Sequence, residues 1–181
     1  MTPKEIEILE KRYFDEIIFL VNNQLPWILE RLNSKNEIKA DWVDVFKKAG
    51  RKDYNKSSEL DTGAERVIHN LFGTYRAFAV NSSPIGSDLM FETPEAFIHL
   101  EVKTATDTNS ADFHGKIQIS QNQTTYAVQT NASGKSYPFI PSLPTIYSNN
   151  KICLTYVIQI IHNNLENFSK KITLYSIPNG I

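Results

Sequence analysis

The run from Lys151 to Ile161 constrains the fold most. Ile152, Cys153, Leu154, Tyr156, Val157, Ile158, Ile160 and Ile161 make both faces of an extended segment largely apolar. That pattern suits a strand buried on both sides in the middle of a sheet. Phe168–Ile177 reads as the next strand, with a turn at Asn163-Asn164 between them. Tyr137–Tyr147 carries three prolines, which exclude a regular helix or a central strand, so it reads as an extended, packed connection.

A second strand pair lies earlier in the chain. Leu89-Met90-Phe91 and Phe97–Thr104 flank the turn-forming Thr93-Pro94-Glu95-Ala96, the pattern of a hairpin. Strand side chains alternate faces, so Phe97, His99, Glu101 and Lys103 share one side while Ile98, Leu100 and Val102 share the core side. Glu101 and Lys103 then stand roughly 6–7 Å apart along the strand. Asp88 enters the neighbouring strand and brings a second carboxylate to the same place. Two carboxylates can hold one or two hard divalent cations such as Mg²⁺, which prefer oxygen ligands. A lysine beside them can orient a water or offset charge as a phosphate is attacked. The bland account is a surface hairpin with a mixed-charge outer face.

The rest of the chain supplies helices. Thr2-Pro3-Lys4-Glu5 forms a capping box with proline in the first turn. Ile6, Leu9, Tyr13, Ile17 and Leu20 follow at helical spacing, widened by Phe14, Ile18 and Val21. This stripe serves either a core or a dimer surface. A second helical piece carries Trp27, Ile28 and Leu32, and a third spans 38–49 and stops at Gly50. Thr62-Gly63-Ala64-Glu65 opens a further helix through a second capping box, with Ala64, Val67, Ile68, Leu71 and Phe72 inward and Gly73 as its end. Tyr75–Val80 reads as a strand, and Ser120–Gln123 opens a helix running to Gln129. The expected architecture is α+β: a central mixed β-sheet flanked by helices in one domain over 1–181. It has a helical layer over 1–50, a core over 60–130 and terminal strands over 151–177.

Composition narrows the class without naming a task. The 181 residues are 41% hydrophobic and 22% charged, ordinary for one globular domain. With 19 basic and 20 acidic residues the net charge is −1, so this is no basic coat for nucleic acid, although basic groups can still gather in one cleft. No apolar run spans a bilayer, and the first residues lack the order of a secretory signal. Cys153 is the single cysteine and excludes an internal disulfide. The simplest expectation is a cytoplasmic protein with no membrane partner. No glycine-rich phosphate loop is present, so no nucleotide cofactor is expected, and no Ser-, Cys- or His-based nucleophile arrangement competes with the carboxylates.

Asp88 followed thirteen residues later by Glu101-Val102-Lys103 resembles the PD-(D/E)xK nuclease superfamily, and within it the type II restriction endonucleases. The likeness covers roughly residues 60–130. It departs from the name-giving pattern because Ser87, not proline, precedes Asp88, and the nearest proline is Pro84. The resemblance implies a restriction-endonuclease-like core and a Mg²⁺-dependent cleavage of double-stranded DNA at a short sequence, with Mn²⁺ able to substitute. It implies Asp88, Glu101 and the carbonyl of Val102 as metal ligands and Lys103 as the group that positions the attacking water. Glu65 matches the extra glutamate that many restriction enzymes draw from a helix ahead of the hairpin. Water would attack in line with the leaving 3′ oxygen, leaving a 5′ phosphate in most relatives. Enzymes of this size usually work as homodimers on palindromic sites.

DNA contacts are expected from three polar stretches. Arg51–Ser58 is a mostly basic connection whose Lys52, Lys56 and Ser57 can bind backbone oxygens. Beyond the Glu-x-Lys strand, Asn109, His114 and Lys116 lie in a hydroxyl- and amide-rich loop. Gln121, Asn122 and Gln123 can read adenine through paired hydrogen bonds. Two other readings stay open: a repair or recombination nuclease of the same fold (nickase, resolvase or exonuclease), and a non-catalytic DNA-binding or protein-interaction module.

Overall fold

The computed structural model describes residues 1–33, 56–75, 78–80, 88–107, 128–130, 136–138, 146, 150–163 and 169–177. The helices are α1 (Pro3–Asn23), α2 (Leu25–Asn33) and α3 (Lys56–Gly73). The strands are β1 (Ala79–Val80), β2 (Leu89–Glu92), β3 (Ala96–Thr106), β4 (Val128–Thr130), β5 (Ser136–Pro138), β6 (Ile152–His162) and β7 (Ser169–Ile177). Five strands form one sheet in the order β1-β2-β3-β6-β7, and β4 pairs with β5 in a separate small sheet. β3 and β6 run parallel, and the other pairs of the large sheet are antiparallel. The mixed sheet with helices is the α+β architecture expected.

All of β6 is buried, as its two apolar faces require. One face of the sheet, carrying Leu89, Phe91, Ile98, Leu100, Val102, Leu154, Tyr156, Ile158 and Ile160, packs on the apolar stripes of the three helices. The α1 stripe of Ile6, Leu9, Tyr13, Ile17 and Leu20 is part of this core. That settles the alternative of a dimer surface for those residues in favour of packing. The predicted Thr2–Glu5 capping box forms, and Pro3 sits in the first turn. The other sheet face holds a smaller cluster of Met90, Phe97 and Cys153. Burial pushes the Cys153 thiol up to about 12, so it stays an inert packing group.

The β2–β3 hairpin is fastened at its turn. Thr93 Oγ accepts from the Tyr13 hydroxyl at 2.7 Å and from the Ala96 amide at 2.9 Å. Arg12 pairs with Glu95, and Lys151 pairs with Glu92 while donating to the Thr93 carbonyl at 2.9 Å. These contacts tie the turn to α1 on one side and to the entry of β6 on the other.

Several expectations are corrected. α3 begins at Lys56, so Thr62 lies inside the helix and not at its N-terminus. Lys56 and Ser57 therefore open a helix and do not belong to a loop. Strand β1 is confined to Ala79–Val80, because Tyr75 still belongs to the turn after α3, with the Phe78 amide donating to its carbonyl at 3.0 Å. The helix expected to reach Gln129 gives way to strand β4 over its last residues, and Tyr137-Pro138 belongs to β5. The helix expected over 38–49 and residues 120–127 lie outside the described residues. Among the described residues, no helix is long and apolar enough to cross a membrane.

Two substitutions test this arrangement. A Cβ on Gly63 would meet nothing within 4 Å, and the residue sits well inside α3. Gly63→Ala is expected to stabilise the protein by about 0.5–1 kcal/mol in urea denaturation; a helix beginning at Thr62 would gain much less. Thr93→Val removes the acceptor shared by the Tyr13 hydroxyl and the Ala96 amide, and is expected to cost about 1–3 kcal/mol.

Candidate active site

The site grows out of unequal strand lengths. β2 begins at Leu89, which pairs with Leu100, whereas β3 continues to Thr106. From Glu101 onward β3 has β6 on one edge and no β2 partner on the other. Asp88 sits one residue ahead of β2, not within it, and its Oδ2 accepts the Val102 amide at 2.8 Å. That bond satisfies a main-chain donor where the ladder stops. It also holds the Asp88 carboxylate against β3, opposite Glu101 when the register is continued by one step. In a strand, the N–H and C=O of one residue point to the same edge. The Val102 carbonyl therefore shares the edge that Asp88 occupies.

Glu101 is 2% exposed, so the charged face of the hairpin is not a solvated surface. One of its oxygens pairs with the Lys103 ammonium, whose side chain is 35% exposed. The other oxygen, Oε2, is buried with no hydrogen-bond partner. Burial raises the Glu101 carboxyl above the usual carboxylate range, and the nearby Asp88 charge adds to this, while Lys103 and a hydrogen bond from the Asp88 main chain oppose it. A buried acceptor left open beside a second carboxylate is the environment a cation would relieve. His99, two residues earlier on the same face, is 1% exposed, and burial pushes its imidazole down to about 4. It is a neutral packing group behind the site.

The donors fit a hard cation. Two carboxylates, a main-chain carbonyl on the same edge and solvent oxygens match the preference of Mg²⁺ or Mn²⁺ for oxygen. Among the described residues, no three His, Cys, Asp or Glu side chains gather as a metal set. Glu65, half-buried on α3, is thus not brought into one group with Asp88 and Glu101. The structure brings together Asp88, Glu101, Val102 and Lys103. Lys56 and Ser57 open α3, and Lys52, Asn109, His114, Lys116, Gln121, Asn122 and Gln123 lie outside the described residues.

Sequence reasoning passed over Gln159. It stands beside Lys103 in the parallel β3–β6 register and is 1% exposed. A long amide inside an otherwise apolar strand was visible in the sequence, but its neighbour is known only once the strands are paired.

The cation-free cost of Glu101 can be measured. Its folded carboxyl keeps a proton through a pH window, above the ordinary value of 4.5, in which the unfolded chain has already lost it. Stability from this group therefore falls as pH rises through that window. In EDTA, Glu101→Gln is expected to be more stable than wild type at neutral pH by about 1 kcal/mol. The difference between the two should shrink on acidification. His99 titrates alike in both proteins, so the difference isolates Glu101.

Comparisons with known proteins come from three directions. The family model described as "Type II restriction enzyme MwoI, N-terminal domain" matches residues 2–167. The fold is similar to the restriction endonuclease BglI, solved bound to its DNA recognition sequence, with a TM-score of 0.66 and 15% identity over 97% of this chain and 73% of that one. It is also similar to the tetrameric restriction endonuclease SfiI, solved with cognate DNA, with a TM-score of 0.64 and 12% identity over 99% of this chain and 67% of that one. No curated protein sequence matches.

Proposed function

The chain belongs to the family of the type II restriction enzyme MwoI N-terminal domain, and from that membership we propose a divalent-cation-dependent endonuclease that cuts double-stranded DNA at a specific short sequence. The observation that carries the catalytic assignment is the buried, unpartnered Oε2 of Glu101 next to Asp88, with Lys103 on the same carboxylate. The BglI and SfiI structures, each solved with DNA, support duplex DNA as the substrate.

Asp88, Glu101 and the Val102 carbonyl would hold Mg²⁺, or Mn²⁺ in its place. The bound cation supplies positive charge at the scissile phosphate and lowers the cost of forming a water-derived nucleophile. Asp88 holds its carboxylate still through the Val102 amide, so little reorganisation is needed on binding. Lys103 pairs with Glu101 and is partly exposed, so a substrate phosphate can approach it. There it orients the attacking water and offsets charge gathering on the phosphate oxygens. Water forms the new bond to phosphorus as the bond to the 3′ oxygen breaks, leaving a 5′ phosphate. Glu65 assists from α3 through water. Lys52, Lys56, Ser57, Asn109, His114, Lys116, Gln121, Asn122 and Gln123 are proposed DNA contacts. Two copies act together on two-fold symmetric DNA.

Digesting a mixed DNA library in Mg²⁺ and sequencing the ends should return breaks at one recurring sequence. Asp88→Asn and Lys103→Ala should each lose at least about 100-fold in cleavage rate with the fold intact. Cutting confined to nicked or branched DNA would reassign the enzyme to repair or recombination. Absence of cutting on every DNA in Mg²⁺ and Mn²⁺ would leave a binding module.

A further inference from the structure

The sheet face that carries Glu101 and Lys103 continues across β6 and β7. Lys103 pairs in register with Gln159, and Gln159 with Thr173. Glu101 pairs with Val157, and Val157 with Tyr175. Side chains opposite each other in register share a face, with neighbouring strands about 4.8 Å apart. Gln159 therefore lies on this face between Lys103 of β3 and Thr173 of β7, with Tyr175 diagonal to it, opposite Val157. The Tyr175 hydroxyl donates to Gln159 Oε1 at 3.1 Å.

That bond holds the amide oxygen of Gln159 on the β7 side, beside the lysine's strand. A carboxamide has an acceptor end and a donor end. With Oε1 held by Tyr175 on the β7 side, the NH₂ end is directed away from β7, toward β3. Rotating the amide would bring Oε1 to the β3 side instead. There it would be a neutral acceptor next to the Lys103 ammonium, competing with Glu101 for a charge-assisted hydrogen bond. The competition would matter most when a cation draws on the Glu101 oxygens.

We propose that Tyr175 and Gln159 are positioning residues: the Tyr175 hydroxyl occupies the Gln159 oxygen and so reserves the Lys103 ammonium for Glu101 and the reacting groups. This rests on Lys103 acting in cleavage as proposed above. Neither residue touches the reacting atoms; both act through the lysine.

The distinguishing experiment is a rescue. Tyr175→Phe removes the hydroxyl, keeps the ring, and should slow cleavage roughly 10-fold. Adding Gln159→Leu to that variant removes the competing oxygen altogether and should restore most of the rate. A lesion of packing alone would be worsened by the second change, not repaired. Wild-type cleavage by Tyr175→Phe, or a double variant no better than Tyr175→Phe, would overturn the assignment while leaving the nuclease reading standing on Lys103→Ala. A crystal structure of Tyr175→Phe gives a readout independent of cutting. Lys103 Nζ should then lie within hydrogen-bond distance of Gln159 Oε1, and an ammonium still on Glu101 with the amide unrotated would overturn the proposal whether or not the wild type cuts DNA.

Discussion

The parallel ladder between β3 and β6 is the contact on which the rest depends. It runs from Ala96 beside Ile152 to Thr106 beside His162 without a break. Parallel strands need cover on both faces, and both strands are buried over most of their length. Because β6 supports the full length of β3, β2 can stop at Leu89 without β3 fraying beyond it. The edge beyond the end of β2 is where Asp88 reaches the Val102 amide. The same ladder sets Gln159 beside Lys103, a neighbour 56 residues away in the chain.

Energetically the site is held against its own preference. A carboxylate on a residue 2% exposed is disfavoured, and a partly exposed lysine together with the Asp88 main chain does not offset its burial. The surroundings tolerate this because the strand carrying Glu101 is pinned along β6 and cannot turn the side chain out without losing register. Strain of this kind is expected where a group is shaped for a ligand and not for the empty fold. The inert neighbours agree with that view. His99 and Cys153 on the same face are held uncharged by burial, so the charge in this part of the layer is concentrated at Asp88, Glu101 and Lys103.

Much of this was legible in the residues, and the reasons for the rest are physical. Alternation over Phe97–Lys103 identified the two faces because a strand's period leaves no other choice. The Thr2–Glu5 box predicted the start of α1 correctly because its signal is local and reciprocal. The same signal at Thr62–Glu65 misled, because a helix already begun at Lys56 runs through it, and tertiary packing of Ala64, Ile68 and Phe72 decides the matter. Strand β4 replaced the end of an expected helix because its residues pair with β5, which follows it closely in the chain. Asp88, Glu101 and Lys103 could be named from spacing, but the open Oε2 and the role of the Val102 amide depend on where β2 ends, which spacing does not encode.

The hairpin also divides its two ends between opposite tasks. Its turn end is over-determined: Thr93 is bound by Tyr13 and Ala96, Glu95 by Arg12, and Glu92 by Lys151, which also lies 5.3 Å from the Phe97 ring centroid. At its far end β2 stops at Leu89, and the Val102 amide of β3 donates to the Asp88 carboxylate just beyond the last ladder pair. A rigid turn transmits its alignment along both strands, so the far end is placed accurately. Contacts that would have closed the far end as well would have consumed the Val102 edge and the Glu101 oxygen. The end of the hairpin where β2 stops short of β3 is therefore also the end at which the cation and phosphate site is proposed.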